Sequence, residues 1–261
     1  LSGETLLGAW ISTGSDVVAE ILGQAAFDWL LLDQEHGAGG HSDLRHQLQA
    51  LSGSKAAPIV RVEANAASHF KHSLDLGAAG AMVPGIRTVD EARAAVAAMR
   101  YPPLGIRGVS SSVRAAAYGR DFPDYFARAN SELLAVLQIE TVEALDGVAE
   151  IAAVDGVDVL FVGPSDLTLA LNIPGQLDHP DFTSACSRIV QACSNHGKQA
   201  GILLKDSRRV QDAIAAGFRF IAVGMDVGFL KAGIDAALLQ ARSYFKAREP
   251  SSIFAASSFT P

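Results

Sequence analysis

Short apolar runs rich in Val, Ile and Leu recur along the chain, separated by longer stretches in which apolar residues return every three or four positions. The first pattern is that of a strand buried on both faces, the second that of an amphipathic helix. Read this way, the sequence predicts strands at 7–11, 28–33, 58–62, 81–84, 133–139, 157–163, 200–204 and 220–224. Helices are predicted near 15–25, 42–52, 67–77, 88–99, 141–153, 180–196, 206–216 and 227–246. Ser15, Ser42, Thr88, Thr141 and Asp206 stand where N-caps are expected, and Gly77, Gly156 and Gly217 suit the left-handed residue that ends a helix before a strand.

Eight strand–helix repeats over about 250 residues predict an α/β fold, the (β/α)8 TIM barrel. An open doubly wound sheet is the alternative, weakened because no Gly-x-Gly-x-x-Gly opens the first helix. Residues 1–249 read as one catalytic domain and 250–261, rich in Ser, as a loose tail. The connection at 100–130, rich in Pro, Gly, Ser and Arg, is long enough to expect an ordered, functional insertion.

Composition narrows the function. Of 261 residues, 49% are hydrophobic and 19% charged, which suits a soluble globular core and not a disordered or fibrous chain. A formal charge of −7 argues against a nucleic-acid partner, and no apolar run is long enough to span a membrane as a helix. Cys186 and Cys193 would stand about 10 Å apart on a helix, too far for a disulfide, which points to a reducing, cytoplasmic setting. The chain begins at Leu1 and not Met, so targeting is left unjudged.

Barrel enzymes carry their chemistry where strands run into the following loops. Those positions bring acids, one His and one Arg to a common mouth: Asp33-Gln34-Glu35-His36 after strand 2, Arg61 after strand 3, Gln138-Ile139-Glu140 after strand 5 and Gly163-Pro164-Ser165-Asp166 after strand 6. Glu140 and Asp166, from adjacent strands, suit a hard divalent ion. His36 has the chemistry to exchange a proton with a hydroxyl, and a buried Arg61 calls for an anionic partner. The turn at Gly163-Pro164-Ser165-Asp166 opens a helix whose N–H groups suit a carboxylate. Among the other histidines, His41 and His46 do not share a helix face, and His69 and His72 read as surface residues. Lys205, followed by Asp206, Arg208 and Arg209, reads as a solvated lysine more readily than as a Schiff-base nucleophile.

The strand-end set resembles the HpcH/HpaI family of metal-dependent pyruvate aldolases, over about residues 8–235. Its strongest pieces are the run from Phe27 through Asp33 to Glu35-His36, the run from Arg100-Tyr101-Pro102-Pro103 to Arg107-Gly108-Val109-Ser110, Gln138-Ile139-Glu140, Phe161-Val162-Gly163-Pro164-Ser165-Asp166-Leu167 and Ala222-Val223-Gly224. Two positions depart from the family pattern: Gln34 stands where Gly is usual, and Gly85-Ile86 replaces bulkier residues after Val83-Pro84.

The resemblance implies an aldolase that cleaves or forms 4-hydroxy-2-keto acids through a pyruvate enolate, with a small-molecule keto acid and an aldehyde as its partners. It implies His36 as base, Asp75 raising its basicity, Asp33 supporting its orientation and Arg61 stabilising the enolate oxygen. Glu140 and Asp166 would hold a divalent metal cation, Mg2+ or alternatively Mn2+ or Co2+. Gln138, Gly163, Pro164, Ser165 and Asp166 would contact the keto acid. It further implies a homo-oligomer, a hexamer built as a trimer of dimers, with the last helix swapped between neighbours. An oxaloacetate decarboxylase or a macrophomate-synthase-like enzyme, using the same enolate, is the alternative. A barrel that only binds a keto acid is a weaker one.

Overall fold

The computed structural model describes residues 3–245; the tail expected at 250–261 lies outside them. Eight parallel strands close into a barrel in sequence order: β1 (Leu6–Ile11), β2 (Trp29–Asp33), β3 (Ala57–Arg61), β4 (Gly80–Val83), β5 (Leu134–Ile139), β6 (Val159–Val162), β7 (Gln199–Leu203) and β8 (Phe220–Met225). Around them lie α1 (Asp16–Gly23), α2 (His41–Ala50), α3 (Ala67–Asp75), α4 (Val89–Met99), α5 (Phe122–Glu132), α6 (Val142–Asp146), α7 (Val148–Ala152), α8 (Pro164–Ala170), α9 (Pro180–Asn195) and α10 (Val210–Ala215), and α11 (Asp226–Ser243) follows β8 along the chain. This is the expected (β/α)8 TIM barrel.

Each strand is buried on both faces, so its alternate residues feed two separate cores. On β2, Leu30 and Leu32 point outward and pack with Leu44, Leu48, Phe70 and the other helix residues. Trp29 and Leu31 point inward, where they meet Trp10, Ile59, Met82, Val136, Phe161 and Phe220. The inner core is built on aromatic rings: Trp29 stacks on Phe220 with centroids 4.0 Å apart, and Trp10 lies 5.4 Å from Phe161. Gly8 makes room for them, since a Cβ there would overlap the Trp29 ring. This plug closes the barrel below the strand ends, so the next inward residues, Asp33, Arg61 and Gln138, form the floor of the mouth.

Local sequence adjusts several helix boundaries. Ser15, Thr88, Thr141 and Asp206 cap as expected, each side chain accepting a backbone N–H. Ser42 does not: Gly40 is the N-cap of α2, and its N–H donates to Asp43 Oδ2 at 2.9 Å. The helix expected over 141–153 is two, broken at Gly147, and that over 206–216 begins with a 3-10 turn, Ser207–Arg209. The insertion at 100–130 is ordered around a 3-10 turn, Arg114–Gly119, and α5, a helix hidden from the sequence by its Pro-containing start.

The barrel unit ends at Asp226, and the chain from Val227 on is a second unit. Within it α11 carries the exposed apolar side chains Val227, Phe229, Leu230, Ile234, Leu238 and Leu239.

Candidate active site

Asp33 and Arg61 face each other as register partners at the ends of β2 and β3. Arg61 donates from Nε to Asp33 Oδ1 at 2.9 Å and from Nη2 to Oδ2 at 2.7 Å. Its third nitrogen, Nη1, lies 2.9 Å from Glu35 Oε2, and its Cζ lies 5.4 Å from the centroid of the Trp10 ring. Burial works against this charge. The hydrogen bonds to Asp33 and the charges of Asp33, Glu35 and Glu140 outweigh it and hold the pKa above the ordinary arginine value. The guanidinium is therefore a fixed, permanent cation in the floor of the mouth.

Asp33 also shapes the loop that follows it. Its Oδ1 accepts the backbone N–H of Glu35 at 3.1 Å and of His36 at 3.3 Å, an Asx-type turn that lifts His36 out of the barrel. The His36 side chain is 73% exposed, with Nε2 3.8 Å from Glu35 Oε1. Burial pushes the Glu35 carboxyl up; Arg61 and His36 draw it down, and Asp33 and Asp166 push it further up, leaving it above the usual range.

Across the mouth, Glu140 is held by two donors: Gly85 N–H to Oε1 at 2.7 Å and Gln138 Nε2 to Oε2 at 3.0 Å. Burial raises its pKa, the Gly85 N–H lowers it, and the charges of Asp166 and Glu35 raise it again, so the net is upward. Asp166, in the first turn of α8, is exposed, and among the described residues its carboxylate has no hydrogen-bond partner. Gly163 ends the approach to α8; a Cβ there would come within 2.8 Å of Glu140 Oε2 and 3.3 Å of Gln138 Nε2. Pro164 is buried and Ser165 exposed, its carbonyl accepting the Thr168 hydroxyl.

Thus the structure brings together His36, Arg61, Asp33, Gln138, Gly163, Pro164, Ser165, Asp166 and Glu140. It places Asp75 elsewhere within the chain: at the end of α3, which runs from the mouth toward the opposite rim, bound to Arg107 Nη2 at 2.8 Å. Gln34, one of the two departures, sends its N–H to the Arg61 carbonyl and keeps a buried, unpartnered Oε1. Gly85, the other, supplies the N–H that fixes Glu140. Lys205 lines a cavity of 370 Å³ with Leu177, Phe182, Cys186, Asp206 and Arg209. Of the histidines read as surface residues, His72 is instead half-buried, its Nε2 buried without a hydrogen-bond partner, and its ring centroid lies 4.1 Å from that of the exposed His41.

Sequence reasoning gave no role to Glu35, though it placed its acid at the mouth, and missed Trp10. Glu35 lies inside the motif that was read for Asp33 and His36, and its acid at a strand end was signal enough. Trp10 follows from period-two alternation along β1, which turns Gly8 and Trp10 inward together.

The residues fit a divalent cation. Among the described residues no three His, Cys, Asp or Glu side chains form a ready-made cage, so Glu140 and Asp166 are a two-carboxylate half-shell open to other oxygens. Two observations point to a missing positive partner. Partial burial and the negative charges of Asp166 and Glu35 press on the half-buried Glu140, and Gln138 Oε1 is buried without a hydrogen-bond partner.

A parallel barrel with charged side chains gathered at the carboxyl ends of its strands is the architecture of an enzyme that handles a small molecule. The sequence profile of the HpcH/HpaI aldolase/citrate lyase family matches residues 6–232, and the chain belongs to that family. It is 43% identical over 227 residues to a 5-keto-4-deoxy-D-glucarate aldolase of Salmonella arizonae, covering 87% of this chain and 88% of that protein. A crystal structure of a family member from Burkholderia cenocepacia superposes with a TM-score of 0.88 at 39% identity, covering 92% of this chain and 95% of the other. Macrophomate synthase superposes with a TM-score of 0.81 at 30% identity, covering 92% and 84%. The protein is an enzyme, a carbon–carbon lyase of the aldolase type.

Proposed function

We propose that the chain is a divalent-metal-dependent aldolase that cleaves or forms 4-hydroxy-2-keto acids, releasing pyruvate and an aldehyde. The observation that carries this reading is the pairing of a cation-poor carboxylate pocket, Glu140 with Asp166, and a fixed guanidinium, Arg61, at one mouth. Glu140 and Asp166 would hold the cation, Mg2+ or in its place Mn2+ or Co2+, which would supply Lewis-acid polarisation of the 2-keto group.

The chain's own residues account for the remaining steps. Gln138 and the Gly163–Ser165 turn bind and orient the keto acid. In the cleavage direction His36 takes the proton of the C4 hydroxyl, directly or through water, as the C3–C4 bond breaks. The electron pair of that bond passes to the keto oxygen, and Arg61 stabilises the resulting enolate charge, an effect worth several kcal/mol. The aldehyde leaves, and C3 of the enolate takes a proton to give pyruvate. Asp33 supports the geometry by fixing Arg61 and the backbone of His36 together.

Asp75 cannot act on His36 from its place in the same chain, so its role in raising basicity belongs to Asp75 of a second copy. A homo-oligomer, a hexamer of three dimers with a swapped last helix, supplies that copy. The exposed apolar residues Val17 and Ile21 on α1, and Leu104, Ile106 and Val109 in the insertion, support an assembly of this kind. Residues 1–249 act as one catalytic domain. The free thiols fit a cytoplasmic setting.

The 5-keto-4-deoxy-D-glucarate aldolase relatives favour a sugar-diacid substrate over a simple keto acid. The likeness to macrophomate synthase supports the second reading, oxaloacetate decarboxylation to the same enolate. Replacing Asp166 with Ala tests the metal assignment: turnover and its dependence on added Mg2+ are expected to vanish together. Undiminished activity would sink it.

A further inference from the structure

Two arginines of the 100–130 insertion grip the end of α3. Arg114 takes its main chain, donating from Nη1 to the Leu76 carbonyl at 2.6 Å, while its Nη2 reaches the Leu48 carbonyl at 2.9 Å and the Ser52 hydroxyl at 2.7 Å. Arg107 takes a side chain, donating from Nη2 to Asp75 Oδ1 at 2.8 Å. No step of the aldol reaction described above uses this insertion.

Asp75 is the last residue of α3, where the negative end of the helix dipole disfavours a carboxylate. The cation that holds it there is fixed like a core residue. The Arg107 side chain has 0% exposure; its Cζ lies 4.5 Å from the Tyr101 ring centroid, and its Nη2 donates to the Tyr125 hydroxyl at 3.0 Å. Its Nε and Nη1 are buried without a partner, and among the described residues Asp75 is the one carboxylate within ion-pair distance. Burial works against the charge, and the bond to Asp75 and the contacts of Tyr125 outweigh it. Burying a cation with two idle donors is a costly way merely to tie down a loop.

One oxygen of Asp75 stays open. Oδ2 has no hydrogen-bond partner among the described residues, and the side chain, 16% exposed, lines a cavity of 510 Å³ with Lys71, Arg114 and Tyr118. Ile106 and Val109, beside Arg107 in the chain, are exposed apolar residues, as is Tyr118. The rim thus offers a second copy an apolar surface around one fixed, half-free carboxylate.

We propose that Arg107 is a positioning residue that acts in trans, clamping Asp75 by Oδ1 so that its free Oδ2 meets His36 of a second copy. The inference rests on the reading above that Asp75 of a second copy serves His36. Arg107 exchanges no proton and touches no substrate.

Mixed oligomers test this directly. Arg107→Lys keeps the charge but loses the planar fork, and it is expected to lower kcat for cleavage of a 4-hydroxy-2-keto acid about 10- to 100-fold, with KM changed less than about threefold. Oligomer mass by light scattering is expected to stay unchanged. Decarboxylation of oxaloacetate, which needs no hydroxyl deprotonated, is expected to change less than about threefold. Co-expressed one to one with His36→Ala, Arg107→Lys should regain about a quarter of wild-type cleavage, because about half of random pairs are mixed and each mixed pair holds one complete site of its two. Tyr125→Phe, which removes only the hydroxyl on Nη2, should show the same pattern with a loss of about three- to tenfold, so the test does not depend on how Arg107→Lys folds.

Equal losses in both reactions, or a changed oligomer mass, would overturn the proposal by making Arg107 a support of the fold or the assembly. A mixture no more active than its two parents would overturn it by confining Arg107 to its own chain. The control is Asp75→Asn mixed with His36→Ala: no regain there removes the reading of Asp75 in trans, and the proposal with it. Regain there beside none for Arg107→Lys and Tyr125→Phe removes the proposal alone.

Discussion

Asp33 and Arg61 stand directly across the β2–β3 pair and share two hydrogen bonds of 2.9 and 2.7 Å, so that one strand pairing presets the cation in the floor of the mouth. The geometry is specific to a guanidinium. A lysine at 61 keeps the charge but cannot make the fork to Asp33 and still reach Glu35. Arg61→Lys is therefore expected to lower kcat/KM by about 10²- to 10³-fold, the range seen when one stabiliser of a developing oxyanion is lost. Steady-state kinetics of pyruvate release measure this, and a loss below about threefold would mean that Arg61 is not part of the reacting site.

Gly163 is constrained by what lies opposite it. An alanine Cβ would stand 2.8 Å from Glu140 Oε2, and Glu140 is pinned by Gly85 and Gln138 and cannot simply swing aside. Gly163→Ala should leave the circular dichroism spectrum unchanged while weakening divalent-cation binding about 10- to 100-fold, as changes beside a metal ligand commonly do. Titration with Mn2+ followed by its electron paramagnetic resonance signal reads the affinity directly. An unchanged titration would separate Glu140 from the cation.

Asp226 ties the end of β8 to the end of β1. It accepts the backbone N–H groups of Ser12 and Thr13 at 3.0 and 2.9 Å and their hydroxyls at 2.8 and 2.7 Å. Burial pushes its carboxyl up, but these hydrogen bonds outweigh burial and hold it below the ordinary aspartate value of 3.8. A depressed folded pKa contributes stability above the unfolded value, and that contribution fades as pH falls through the folded one. Asp226→Ala is expected to cost about 2–4 kcal/mol in urea unfolding at neutral pH, and less at strongly acid pH. A cost that does not shrink in acid would contradict the assignment of the stability to the ionised carboxylate.

Cys186 is half-buried and Cys193 buried, and burial pushes each thiol up to about 12. Only the thiolate alkylates, so iodoacetamide at about pH 8 is expected to label neither within minutes in the native protein and both after unfolding. Mass spectrometry of the intact chain distinguishes the two outcomes. Fast native labelling would place one of the thiols in a more open setting.

Much of this architecture was legible in the sequence because parallel strands and their helices leave different periods. All eight strands fall within two residues of their expected bounds, and Gly77, Gly156 and Gly217 take the left-handed conformation expected before strands β4, β6 and β8, with φ of 97°, 84° and 102°. What stayed hidden followed from context. The start of α5 looks like a loop because Phe122-Pro123 reads as a breaker, yet a proline without an N–H costs nothing in a first helical turn. Gly40 displaced Ser42 as a cap because Asp43 reaches back to its N–H. Strand-end logic placed Glu140, Asp166, Arg61 and His36 at one mouth, but could not show that Glu35 would bridge two of them, since that depends on the turn set by Asp33. Asp75 was expected to reach His36, but helix direction puts it at the other rim of the same chain.

The central claim is that this mouth cleaves a hydroxy acid with a divalent cation and no lysine adduct. The direct test is pyruvate release from a 4-hydroxy-2-keto diacid and from oxaloacetate, each with Mg2+, with EDTA, and after borohydride treatment in the presence of substrate. Release from the hydroxy diacid that EDTA stops and borohydride spares is the predicted result. Release from oxaloacetate alone would make the protein a decarboxylase, and loss to borohydride with activity surviving EDTA would move the chemistry to a lysine and contradict the site described above.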